Sequence, residues 1–148
     1  MATRKVMLTR LEDGTVEARS QSGARMILGH MEGVFDPGEV AQIALAGCAI
    51  LSSRRETAGD EVRAEVSGEY NEESNRFDSF SETLFIKGEE EPGKLEQAVQ
   101  DAIRKNCTIA RTYEHGAKVH VNVEIEKKWA WLPFLTPKKE NRIPSLPG

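Results

Sequence analysis

Cys48 and Cys107 are the two cysteines of this chain, and thiols are the side chains here best suited to covalent chemistry without a cofactor. A thiol becomes a nucleophile, a metal ligand or a redox centre only as the thiolate, so spacing and surroundings decide among those roles. The two stand 59 residues apart, nothing like a C-x-x-C motif, and two cysteines cannot complete the usual structural zinc site. His30, His115 and His120 fit no ligand spacing, and His120 falls on the polar face of a strand pattern, so they read as surface histidines. No metal or nucleotide cofactor is expected. In a reducing compartment a static disulfide is disfavoured. What remains is either two inert buried thiols, the ordinary fate of free cysteine, or a redox-active pair.

The rest of the composition narrows the setting. A chain of 148 residues with 39% hydrophobic and 30% charged residues has the make-up of one ordinary globular domain. A formal net charge of -4 argues against nucleic acid as the main partner, because phosphate recognition shows as a basic patch or stripe. The first ten residues lack the apolar stretch of a secretory signal, and the longest apolar run, Ile43 to Leu51, is too short to span a bilayer. No membrane association and a cytoplasmic location are the expectations.

Several elements must position the thiols. Lys5 to Arg10 and Thr15 to Ser20 read as strands joined by the turn dipeptide Asp13-Gly14, with Arg25 to Leu28 extending the meander. Asp36-Pro37-Gly38-Glu39 starts a helix: Asp caps, Pro takes the first helical position and Glu at the third completes a capping box. The helix through Leu51 is apolar nearly all round, which predicts a helix buried through the fold with Val40, Ile43, Ala44, Gly47, Cys48 and Leu51 on one face. Its small residues Ala44, Ala46 and Gly47 would admit another backbone, and Cys48 is expected to lie deep. Glu61 to Tyr70 and Arg76 to Lys87 form an antiparallel hairpin about the polar turn 71–75. Lys94 to Arg104 carries Leu95, Ala98, Val99, Ala102 and Ile103 at helical spacing. Asn106 is expected to end that helix and to cap a shorter one that stops at Gly116, which puts Cys107 at a helix N-terminus. Val119, Val121, Val123 and Ile125 alternate with polar residues as a last strand with one buried face. The domain thus spans 1–126. The Trp129 to Leu135 segment of the C-terminal extension, 127–148, has neither periodicity and reads as a docked extension.

The order of elements, the run Asp-Pro-Gly-Glu-Val-Ala-Gln-Ile-Ala-Leu-Ala-Gly-Cys48 and the run Lys105-Asn-Cys-Thr-Ile-Ala-Arg-Thr112 together resemble the OsmC/Ohr family of thiol-dependent peroxidases. The first run is similar to the family's Asn/Ser-Pro-x-Glu-Leu…Ala-x-x-Cys helix, the second to its Cys-Pro-x-Ser segment. The resemblance implies an α+β fold, OsmC-like, with antiparallel β-sheet packed around central buried helices in an intertwined homodimer. It further implies that Cys48 reduces an organic hydroperoxide and becomes a sulfenic acid, that Cys107 resolves it to a disulfide, and that a dithiol such as a lipoylated protein restores the pair. The family's activating arginine, from an N-terminal segment, and its partner glutamate on the central helix map to Arg25, with Arg10 second, and Glu39. Here Glu39 stands nine residues before the cysteine, the family's place ten before being Gly38, while Thr108 and Ala110 replace the proline and serine that follow the second cysteine.

Cys48 needs a positive neighbour, because a thiol among aliphatic groups has its pKa raised. Its own helix cannot supply one, since Cys48 lies about 18 Å along the axis from Asp36, far beyond the first turn. The alternative to a peroxidase is a non-catalytic stress-associated or small apolar ligand-binding module of the same fold with structural thiols. A hydrolase or acyl transferase ranks third, because no His and Asp stand in a recognisable pattern around Cys48.

Overall fold

A computed structural model describes residues 1–89 and 91–126. Met1–Gly116 form one compact unit, and the residues from Ala117 belong to a second. Strands β1 (Val6–Arg10), β2 (Val16–Ser20) and β3 (Arg25–Leu28) make an antiparallel meander in the order β1-β2-β3. Asp13 builds its first turn. Its carboxylate accepts from the Thr15 backbone N–H at 2.9 Å and the Thr15 hydroxyl at 2.6 Å, while Gly14 takes φ +88°. Phe35 then bridges back to Leu28 and delivers the chain to the helix.

Helix α1 (Pro37–Ser52) starts as its sequence requires. The Asp36 carboxylate accepts from the Glu39 N–H at 2.8 Å, and Glu39 Oε1 accepts from the Asp36 N–H at 3.0 Å, a complete capping box. At the other end the Ser53 hydroxyl donates to the Ala49 carbonyl and the Arg54 guanidinium to the Leu51 carbonyl, closing orphan acceptors of the last turn. Strands β4 (Glu61–Asn71) and β5 (Arg76–Lys87) form a long antiparallel hairpin whose register sets Val62 against Ile86, Ala64 against Leu84, Val66 against Glu82 and Gly68 against Phe80. These pairs line its half-buried face, which α1 covers. Gly68 is required there, since a Cβ would lie 2.7 Å from the Phe77 ring.

Helix α2 (Pro92–Asn106) buries Leu95, Val99 and Ala102, the expected stripe, and α3 (Thr108–His115) ends at Gly116 with φ +76°. The core they close with α1 is small: Leu45, Ala46 and Ala49 from α1, Leu95, Val99 and Ala102 from α2, and Cys107.

Three expectations are corrected. The stripe expected to be buried on α1 is not: Leu45, Ala46 and Ala49 are, whereas Ile43 is 38% and Leu51 63% exposed and Cys48 is half-buried. An all-round apolar helix cannot reveal which face its own chain covers, and here the hairpin takes the other one. For the same reason Gly47 faces open space rather than a second backbone. The last strand is also absent among the described residues. A strand exists by hydrogen bonding to a neighbour, residues 117–126 pair with none, and Val119, Val121, Val123 and Ile125 are all exposed. Finally, Asn106 closes α2, and the cap of α3 is Cys107 itself. The Trp129 to Leu135 segment lies outside the described residues.

Candidate functional site

Cys48 sits one turn before the end of α1, and Cys107, wholly inaccessible to solvent, occupies the break between α2 and α3. The break is one residue long. The Cys107 N–H makes the last α2 bond, to the Ile103 carbonyl at 2.9 Å, and its carbonyl accepts the first α3 bond, from the Arg111 N–H at 3.1 Å. Its own backbone is extended (φ -76°, ψ 97°), so the chain turns there and the leading N–H groups of α3 are left without intrahelical partners. Those groups meet Cys48. The far end of α3 is fixed by Tyr113, whose hydroxyl donates to the Ala41 carbonyl of α1 at 2.8 Å and whose ring packs 5.4 Å from Phe80 of β5.

This arrangement divides the two sulfurs. Burial pushes the Cys48 thiol up, but the Ile109 N–H, the Cys107 thiol, the Ser52 hydroxyl at 3.8 Å and the Thr108 N–H all favour its thiolate, and together they bring it below the usual thiol value. Burial pushes Cys107 up, opposed by the Ala110 N–H and reinforced by its hydrogen bond to Cys48 and by the charges of Cys48 and Glu82. The outcome is a Cys48 sulfur whose anion is favoured and a Cys107 that holds its proton more tightly. The positive group that Cys48 needs is thus the N-terminus of a different helix.

Cys48 opens on a cleft of about 890 Å³ whose lining includes Ile43, Leu51, Arg54, Arg55, Ala102 and Lys105. Of the other candidate site residues, Cys107, Arg25, Arg10 and Glu39, none lines it. Arg25 lies on β3 and donates to Glu17 of β2 at 2.8 Å, Arg10 lies exposed on β1, and Glu39 is engaged in the capping box at the far end of α1. At Gly38 a Cβ would come within 3.2 Å of the Phe77 ring, so a side chain ten residues before Cys48 would need that ring to give way by a few tenths of an ångström. Among the described residues no cluster of three or more His, Cys, Asp or Glu could hold a metal ion. Sequence reasoning missed Ser52, Tyr113, Glu82 and the N–H groups of Thr108 and Ile109. The placement of Cys107 at a helix start was readable, but not that the start is aimed at Cys48.

Comparisons with known proteins agree with this architecture. A family model described as OsmC-like protein matches residues 29–122. Uncharacterized proteins of Mycobacterium bovis and Mycobacterium tuberculosis are each 34% identical to this chain over 116 residues, covering 71% of it and 85% of the relative. Among solved structures, an OsmC-like protein from Mycoplasma pneumoniae superposes with TM-score 0.65 at 14% identity, over 84% of this chain and 96% of that one. The organic hydroperoxide resistance protein OhrB of Bacillus subtilis does so with TM-score 0.53 at 16% identity, over 83% and 98%. A hypothetical protein from Aquifex aeolicus gives 0.66 at 17%, over 86% and 100%. At these identities the structures share the fold.

Proposed function

The chain belongs to the OsmC/Ohr family, and from that premise we propose that it is a thiol peroxidase that reduces organic hydroperoxides with Cys48 and Cys107. What supports this reading is the asymmetry of the thiol pair: the surroundings of Cys48 favour its anion, whereas burial pushes the Cys107 thiol up. The Cys48 thiolate attacks the terminal peroxide oxygen. The S–O bond forms as the O–O bond breaks, giving the Cys48 sulfenic acid and an alkoxide that takes a proton from water and leaves as the alcohol. Cys107 then gives up its proton and attacks the Cys48 sulfur. The S–S bond forms, the oxygen departs as hydroxide, and that hydroxide plus the released proton make water. An external dithiol, such as a lipoylated protein, reduces the disulfide by exchange and is itself oxidised.

A homodimer is part of the proposal. One chain alone leaves Ile43 and Leu51 of α1 exposed, and likewise the alternating run Val119 to Ile125, apolar positions that a second chain would cover. In the paired form the family resemblance implies, Arg25 reaches Cys48 from the second chain and adds its charge to that of the α3 N-terminus.

The reading is tested by treating the reduced protein with one equivalent of an organic hydroperoxide and counting thiols. Both should be lost in the parent, Cys107→Ser should lose Cys48 alone as a trappable sulfenic acid, and Cys48→Ser should keep Cys107. Two surviving thiols in the parent would sink the peroxidase and favour the binding module.

A further inference from the structure

The two sulfurs differ in access as well as in charge. Cys107 is wholly shut off from solvent, whereas Cys48 is half-buried and opens on the cleft of about 890 Å³. That cleft runs between α1, which contributes Ala44, Gly47 and Cys48, and α2, which contributes Ala98, Ala102 and Lys105, and Cys107 does not line it. The small residues leave room beside the sulfur, and a Cβ added at Gly47, next to Cys48, would meet open space. A second chain packed on α1 could narrow the cleft, but it could not uncover Cys107, which its own chain already covers. Any assembly that turns over a hydroperoxide must keep a way open to Cys48.

We propose that this cleft also admits the reductant, and that the dithiol attacks the Cys48 sulfur of the disulfide, so that oxidant and reductant meet the same atom in turn. The inference rests on the peroxidase reading, which pairs the two cysteines. Two effects compete over which sulfur is attacked. Exchange runs faster when the sulfur of lower pKa leaves, which is Cys48, and that directs attack to Cys107. Access acts the other way, since Cys107 offers an attacking thiolate no surface. Leaving-group preference alters the rate by degrees, whereas a sealed sulfur reacts only in molecules whose core has opened, so access decides. Arg54, Arg55 and Lys105 on the lining favour an approaching thiolate, and of the two acids there, Glu56 and Asp101, the second is already paired with Arg104 at 2.9 Å. In the first step the bond from reductant to Cys48 forms as the Cys48–Cys107 bond breaks, and Cys107 leaves as a thiolate that takes a proton. The second thiol of the reductant then attacks the reductant's own bound sulfur, and Cys48 leaves as the anion its surroundings favour. Two electrons pass from the dithiol, which ends as a cyclic disulfide, to the protein. One of its two protons ends on Cys107 and the other in solvent.

The attacked sulfur is identified on the disulfide itself. Parent protein oxidised with diamide is given a brief excess of 2-mercaptoethanol, quenched in acid, alkylated and mapped by peptide. The mixed disulfide is expected on Cys48, with Cys107 alkylated. An adduct on Cys107 overturns the proposal and leaves the peroxidase standing. A second variant tests the entrance and decides alone if return to the disulfide outruns capture. Ala98 is exposed on α2, so Ala98→Phe should fold while filling the cleft. Oxidation by cumene hydroperoxide and reduction by dithiothreitol should both slow, each by roughly tenfold. A reduction rate held at the parent value overturns the proposal. If diamide and hydroperoxide alike leave two thiols, the peroxidase reading fails and takes this inference with it.

Discussion

At Cys48 burial and hydrogen bonding oppose each other, and the donors prevail. Thiolate absorbance in the parent should therefore rise in two steps with pH. The first, below the usual thiol range, belongs to Cys48 and disappears in Cys48→Ser; the second, above it, belongs to Cys107. A single step carrying both thiols would contradict this assignment. Glu82 allows a check by stability. Its folded-state pKa is raised, so the fold prefers the protonated acid: that contribution is whole below the unfolded value and is lost as pH rises through the folded one. Glu82→Gln, which keeps the shape without the charge, should unfold at a higher urea midpoint than the parent at neutral pH, and the gain should vanish in acid. At this scale the sequence was informative about identity and poor about contact. Cysteine count and spacing left two inert thiols or a redox pair open, and the resemblance of the two cysteine-bearing runs favoured the pair. Ser52, Glu82 and Tyr113 are ordinary residues in their elements, and only the packing of α3 against α1 and β5 gives them a role.

Among the elements, α3 does most to create the site, because its leading N–H groups favour the Cys48 anion from within the same chain. Thr108→Pro tests this with little risk to the fold. Proline suits the first helical position and Cys107 before it is already extended, so stability should hold or rise by about 0.4–1 kcal/mol. The variant loses the weakest of the Cys48 donors, and its alkylation at neutral pH should slow by about twofold. Tyr113→Phe removes the hydrogen bond to Ala41 and should cost about 0.5–1.5 kcal/mol in chemical denaturation while raising the pH at which Cys48 ionises. Element boundaries were largely legible, because Asp36-Pro37, the alternation in 61–70 and the stripe of Leu95, Val99 and Ala102 are local signals. The face of α1 was not. Ala and Leu run all round that helix, and a local pattern without polar residues carries no direction.

The whole molecule raises the question that one chain cannot answer from its own pattern. The run Val119 to Ile125 alternates as a strand should, is exposed and pairs with nothing among the described residues, and the homodimer proposed above would give it a neighbour. Sedimentation should give a dimer, and charged substitutions at Val121 and Val123 together should shift it toward monomer. If the two chains share each site, a heterodimer of Arg25→Ala with Cys48→Ser should recover one working site, whereas either homodimer should fall below the parent. The central claim, that Cys48 and Cys107 act as one redox pair, is met most directly by peptide mapping after one equivalent of an organic hydroperoxide. The account predicts a single cross-linked species, Cys48 to Cys107, formed by the parent and by neither serine variant. Recovery of both cysteines as unmodified thiols would contradict it.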